Sequence, residues 1–111
     1  MVTIFADDLS MYDSISEPAV SIVDLLKLDH MDILIEVCHI ENGWHGYCEV
    51  DEDDHDKADV FINESLDLHD QLIALSHELI HVYQFANKQT LEETEAYEYE
   101  AILLEQVMGT S

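Results

Sequence analysis

The five residues His77-Glu78-Leu79-Ile80-His81 constrain this chain more than any other stretch. In a strand, positions four apart lie about 13 Å from each other. On a helix they sit one turn apart on the same face. Only a helix therefore lets the two imidazoles converge. At that spacing they can hold one Zn²⁺, with the intervening glutamate beside them as a base toward water. The plain alternative is a histidine pair on a solvated helix face.

The flanking pattern supplies the helix. From about Leu68 to Asn87, Leu72, Ile73, Leu79, Ile80, Tyr83 and Phe85 recur at helical spacing, and Asp67 or Asp70 can cap the start. Just before it, Ala58 to Asn63 reads as a short strand, taken as an exposed edge to which an extended peptide can add. A second helical run follows the motif from about Leu91 to Met108 and ends at Gly109.

The N-terminal half reads as mixed structure. Residues 2–6 are β-branched and aromatic and predict a first strand, and 7–16 have no clear period and read as a loop. Ser16-Glu17-Pro18 looks like a helix start. Ala19, Ile22, Val23 and Leu26 then predict a helix from about Glu17 to Leu28. Ile33 to Glu41 and Trp44 to Val50 are two strand-like runs joined by Asn42-Gly43, a strong hairpin signal because both turn residues accept positive φ. A two-residue turn there pairs Glu41 with Trp44, Cys38 with Tyr47 and Val37 with Cys48. The two cysteines then fall on opposite faces, which disfavours a disulfide. Cys38, His39, His45 and Cys48 match no common zinc spacing. Asp51 to Asp56 lacks the glycine and terminal glutamate of an EF-hand loop and reads as a solvated turn.

Composition narrows the function. With 111 residues and 48% hydrophobic content, the expectation is one folded domain over 1–111. Its class is α+β, a minimal domain of about three helices on a small, mostly antiparallel sheet of three to four strands. The formal net charge is −23, from 26 acidic residues against Lys27, Lys57 and Lys88. Such a field repels nucleic acid and anionic membranes and favours cations and basic partners. No apolar run spans a bilayer and no signal-like N-terminus is present, so the expected location is cytoplasmic.

Two histidines do not complete a catalytic zinc site, which takes three protein ligands and an open position. No histidine follows His81, which excludes an arrangement with a further histidine downstream and leaves a glutamate of the last helical run as the option, and that run is rich in them. Its apolar stripe is marked by Ala96, Tyr99, Leu103 and Val107. At about 100° per residue, Glu92, Glu93 and Glu100 lie near that stripe, Glu95 at its edge and Glu98 away from it. A carboxylate on a core-facing side is costly unless a partner charge or a metal neutralises it.

His77-Glu78-Leu79-Ile80-His81, followed by Glu93-Thr94-Glu95-Ala96-Tyr97-Glu98-Tyr99-Glu100-Ala101-Ile102-Leu103-Leu104, resembles the zincin core of small gluzincin-type metallopeptidases, most closely the ImmA/IrrE group. The resemblance covers about a third of the chain. It implies a zincin fold with His77, His81 and Glu93 as zinc ligands and Glu78 as the catalytic base, with Glu92 and Glu95 as fallback ligands. That family usually has Asn or Asp where this chain has Tyr97, and a small residue where it has Glu100.

The expected activity is zinc-dependent hydrolysis of peptide bonds in a protein or peptide substrate, with Tyr83, Tyr97 or His69 as candidates to stabilise the oxyanion. The rival expectation is a non-enzymatic one: an acidic DNA mimic, or a zincin-fold protein without proteolysis, that binds and inhibits a basic partner.

Overall fold

The computed structural model describes residues 2–7, 9–51, 53 and 56–86. In chain order they form β1 (Val2–Ala6), α1 (Leu9–Leu25), β2 (Asp32–Cys38), a single 3-10 turn (Glu41–Gly43), β3 (Gly46–Val50), β4 (Lys57–Asn63) and α2 (Leu68–Ala86). The class is α+β, with one four-stranded sheet in the order β1-β2-β4-β3. β1, β2 and β4 run parallel and only β3 is antiparallel. The sheet is therefore mixed, not mostly antiparallel. The expected third helix over residues 91–108 lies outside the described residues.

Alternation along each strand sorts the sheet into two faces. Across the strands, the register lines up Val2, Ile33, Ala58 and Val50, then Ile4, Ile35, Val60 and Cys48, then Ala6, Val37, Ile62 and Gly46. Of these rows, all but Gly46 belong to the hydrophobic core or pack on it. α1 lies against β1 and α2, and α2 against β3 and β4. The other sheet face alternates out of that core.

Two differences from the sequence expectation have their causes in packing and strand pairing. α1 begins at Leu9, so residues 9–16 are helical and Pro18 sits inside the helix. Met11 and Ile15 extend the apolar stripe of Ala19, Ile22 and Val23 back by two turns. Burial of that stripe outweighs the one backbone donor that Pro18 lacks. Likewise, Asn42 and Gly43 do adopt positive φ (68° and 71°), but the strands on either side of them do not pair with each other. β4 takes the place beside β2, pairing Cys38 with Asn63 and Val37 with Ile62. The turn instead carries the chain past β4 to β3. β4 is consequently an interior strand and not the expected edge. The hairpin is β3–β4, and its connection is the acidic run 51–56, where Asp51, Asp53 and Asp56 are exposed.

Helix α1 ends in a Schellman motif: Leu28 N–H donates to Val23 O (2.9 Å) and Lys27 N–H to Asp24 O (3.1 Å). Lys27 holds the left-handed position at φ 58°, where glycine is usual. Replacing it by glycine or by alanine removes the same charge and changes only the backbone preference. Lys27→Gly is expected to exceed Lys27→Ala in stability by about 1 kcal/mol in urea unfolding. Equal stability of the two variants would contradict the assignment.

Candidate metal centre

Helix α2 carries the candidate site, and its start is fixed locally. The Asp67 carboxylate accepts from Asp70 N–H (2.8 Å), and Asp67 O accepts from Gln71 N–H (2.9 Å). Asp67 is thus the N-cap, with Asp70 complementing the helix dipole. From Gln71 to Val82 the helix is buried at every position except Ile73. Leu72, Ala74, Leu75, Leu79, Ile80 and Val82 account for the apolar part of that burial. The polar part is Gln71, Ser76, His77, Glu78, His81 and Gln84, and buried polar groups require partners. Ser76 Oγ donates to Leu72 O (2.9 Å), and Gln71 Nε2 to Leu66 O (3.0 Å). Among the described residues, no buried side-chain nitrogen or oxygen lacks a hydrogen-bond partner.

His77 and His81 are 9% and 6% exposed, so the pair does not sit on a solvated helix face. Their rings lie 4.8 Å apart, centre to centre, at 85°. One turn further on, the fully buried Gln84 places Oε1 2.9 Å from His81 Nδ1. With the amide oxygen turned to the ring, this contact takes Nδ1 as its donor, the tautomer that leaves the lone pair of His81 on Nε2. Metal-binding histidines are commonly oriented by such a partner on the second nitrogen. Gln84 was missed at the sequence level, although its i+3 spacing from His81 is the signal that could have found it.

Glu78, 8% exposed, is directed by the same helix toward β3. A Cβ built on Gly46 would lie 3.6 Å from Glu78 Cγ and only 2.6 Å from Phe61 O. Gly46 thus permits the close approach of β3, β4 and the motif helix. The loop that delivers β3 to this place is tied by Asn63, a second residue that sequence reasoning missed. Its Nδ2 donates to Trp44 O (2.9 Å), its N–H to His45 O (2.9 Å), and its Oδ1 accepts from Ser65 N–H and Oγ.

The structure brings the rings of His77 and His81 together, and Glu78, next to His77 in the chain, is buried on the same helix. Glu93 lies outside the described residues, as do the fallbacks Glu92 and Glu95 and the candidate Tyr97. Among the described residues, no group of three or more His, Cys, Asp or Glu side chains is placed to hold a metal. His69 is exposed on the first turn of α2, about 12 Å along the helix axis from His77. Tyr83 is half-buried and packs on the core. Cys38 and Cys48 are not joined in a disulfide, and the register puts them on opposite faces of the sheet. Among the described residues, no helix is long and apolar enough to cross a membrane. Compared with known proteins, the chain matches no family model, no curated protein and no solved structure.

Two substitutions test how the site is held. Gly46→Ala must displace β3 from the Phe61 carbonyl and is expected to cost about 2 kcal/mol of stability. An unchanged thermal midpoint would contradict that contact. Asn63→Ala is expected to cost about 1–3 kcal/mol. Asn63→Asp should cost more at neutral pH, because a carboxylate cannot donate to Trp44 O; an Asp variant as stable as the parent would refute this role.

Proposed function

We propose that this chain is a small zinc-dependent metallopeptidase, with His77, His81 and Glu93 as metal ligands and Glu78 as general base. The observation that carries the reading is the buried imidazole pair, with His81 oriented by Gln84 and Glu78 beside it. Two adjacent buried imidazoles, one of them held through its Nδ1 by an amide, match the donor chemistry of zinc. The resemblance of residues 77–104 to the ImmA/IrrE group supports Glu93 as the third ligand. When bound, zinc would supply the Lewis acidity that polarises a carbonyl and makes water a nucleophile near neutral pH. Glu78 would accept the proton that water loses and return it to the leaving amine. Among the described residues β3 ends the sheet, and Gly46 brings it against Glu78. An extended peptide added to β3 would lie along the site.

The test is elemental analysis of the dialysed protein together with cleavage of a peptide library. One zinc per chain is expected, with cleavage lowered about 10²–10⁴-fold in Glu78→Gln at undiminished zinc content. Gln84→Met, which removes the acceptor for His81, is expected to weaken zinc binding about 10–100-fold, with Gln84→Glu closer to the parent. Absence of stoichiometric zinc would sink the site, and full cleavage by Glu78→Gln would sink the mechanism.

A further inference from the structure

The sheet face turned away from α1 and α2 has a pattern that the core does not explain. In one row across all four strands the register places Phe5, Glu36, Phe61 and Tyr47 side by side. The Tyr47 and Phe61 rings stack at 4.5 Å, and Trp44 meets Tyr47 edge-on at 6.4 Å. Phe5 and Trp44, at the two ends, are each 58% exposed. The next row contains Thr3, Leu34, Asp59 and Glu49. These two rows thus combine four aromatic rings, counting Trp44, with three carboxylates, and they contain no lysine or arginine.

Neighbouring strands are about 4.8 Å apart, so the aromatic row extends roughly 14 Å, with Glu36 seated between Phe5 and Phe61. A guanidinium stacked on either ring would have that carboxylate beside it. One stacked on Tyr47 would have Glu49 two residues along the same strand. Aromatic face and carboxylate together are the two surfaces a planar guanidinium uses at once. A second copy of this face would bring like charges together, which argues against self-association through it. The local field is also felt by the groups on this face. Burial, and then Glu36, hold the Cys38 thiol above its ordinary range. Partial burial, and then Glu49, do the same for the Tyr47 hydroxyl.

We propose that the Phe5–Glu36–Phe61–Tyr47 row, extended by Trp44, is a docking surface for an arginine-rich protein segment. It lies on the side of the sheet opposite α2 and does not depend on the metal reading. A chain of net charge −23 attracts any polycation, so the test must separate this face from the overall field. Trp44 is the only tryptophan and reports from one end of the row. The probe is a blocked hexapeptide of alternating arginine and glycine, titrated at physiological salt while Trp44 fluorescence is followed. Its neutral citrulline counterpart is the control.

Saturable binding is expected for the arginine peptide and none for the citrulline peptide. Glu36→Gln with Glu49→Gln, and separately Phe5→Ser with Tyr47→Ser, should each weaken it about tenfold or more. Glu17→Gln with Asp24→Asn removes two charges from the exposed side of α1 and should leave affinity within about twofold. Circular dichroism of each variant identifies any loss of fold, and Glu36→Gln with Glu49→Gln keeps every ring in place if the aromatic pair unfolds. Equal weakening by the α1 pair, binding of the citrulline peptide, or no saturable response would overturn the proposal. Glu78→Gln should bind the peptide like the parent, which keeps this outcome separate from that of the metallopeptidase reading.

Discussion

The architecture rests on the parallel ladder between β2 and β4. Once β4 occupies that place, β3 can pair only on its far side. β3 becomes the antiparallel end of the described sheet, beside α2. A ladder bond is modest individually, but register is all-or-none. A slip by one residue would expose Val60 and Ile62 and bury Asp59 and Phe61. The apolar rows on the helix side therefore fix the register, the register fixes where β3 lies, and β3 sets what stands next to Glu78. Gly46 is where these constraints meet, since the strand, its neighbour and the motif helix approach within the space of one methyl group.

A second constraint follows from the burial of α2. A helix enclosed at nearly every position from 71 to 84 is usually apolar all round, whereas this one encloses two imidazoles, a carboxylate and two amides. Each such group costs free energy unless it is partnered, so the helix holds this polar set only in a defined arrangement. Gln84 orients His81, and Asn63 anchors the loop before β3 from the opposite side. Neither carries the proposed chemistry; both restrict the positions of the groups that would.

Much of this was legible in the sequence, and the misses share a cause. The motif helix, its capping by one of two aspartates, the first strand and the α+β class all follow from local period and capping chemistry. The positive φ of Asn42 and Gly43 was legible for the same reason. What local chemistry does not contain is the choice of strand partner. Asn42-Gly43 specifies a turn, but the placement of β4 between β2 and β3 is decided by distant apolar rows. Ser16-Glu17-Pro18 imitates a helix start so well that the Met11 and Ile15 extension of the same stripe went unread. The candidate site divides along the same line. His77, Glu78 and His81 were legible from spacing, Gln84 and Asn63 required three-dimensional contacts, and Glu93 rests on resemblance to the residues of a family.

The central proposal is that the buried histidine pair binds zinc, with His81 held through Nδ1 by Gln84. Nitrogen-15 spectra of the imidazoles, recorded during a zinc titration, test it directly. The account predicts that His81 keeps its proton on Nδ1 throughout, and that His81 Nε2 and one nitrogen of His77 shift together and saturate at one equivalent. Imidazole resonances that ignore zinc, or a His81 protonated on Nε2, would contradict it.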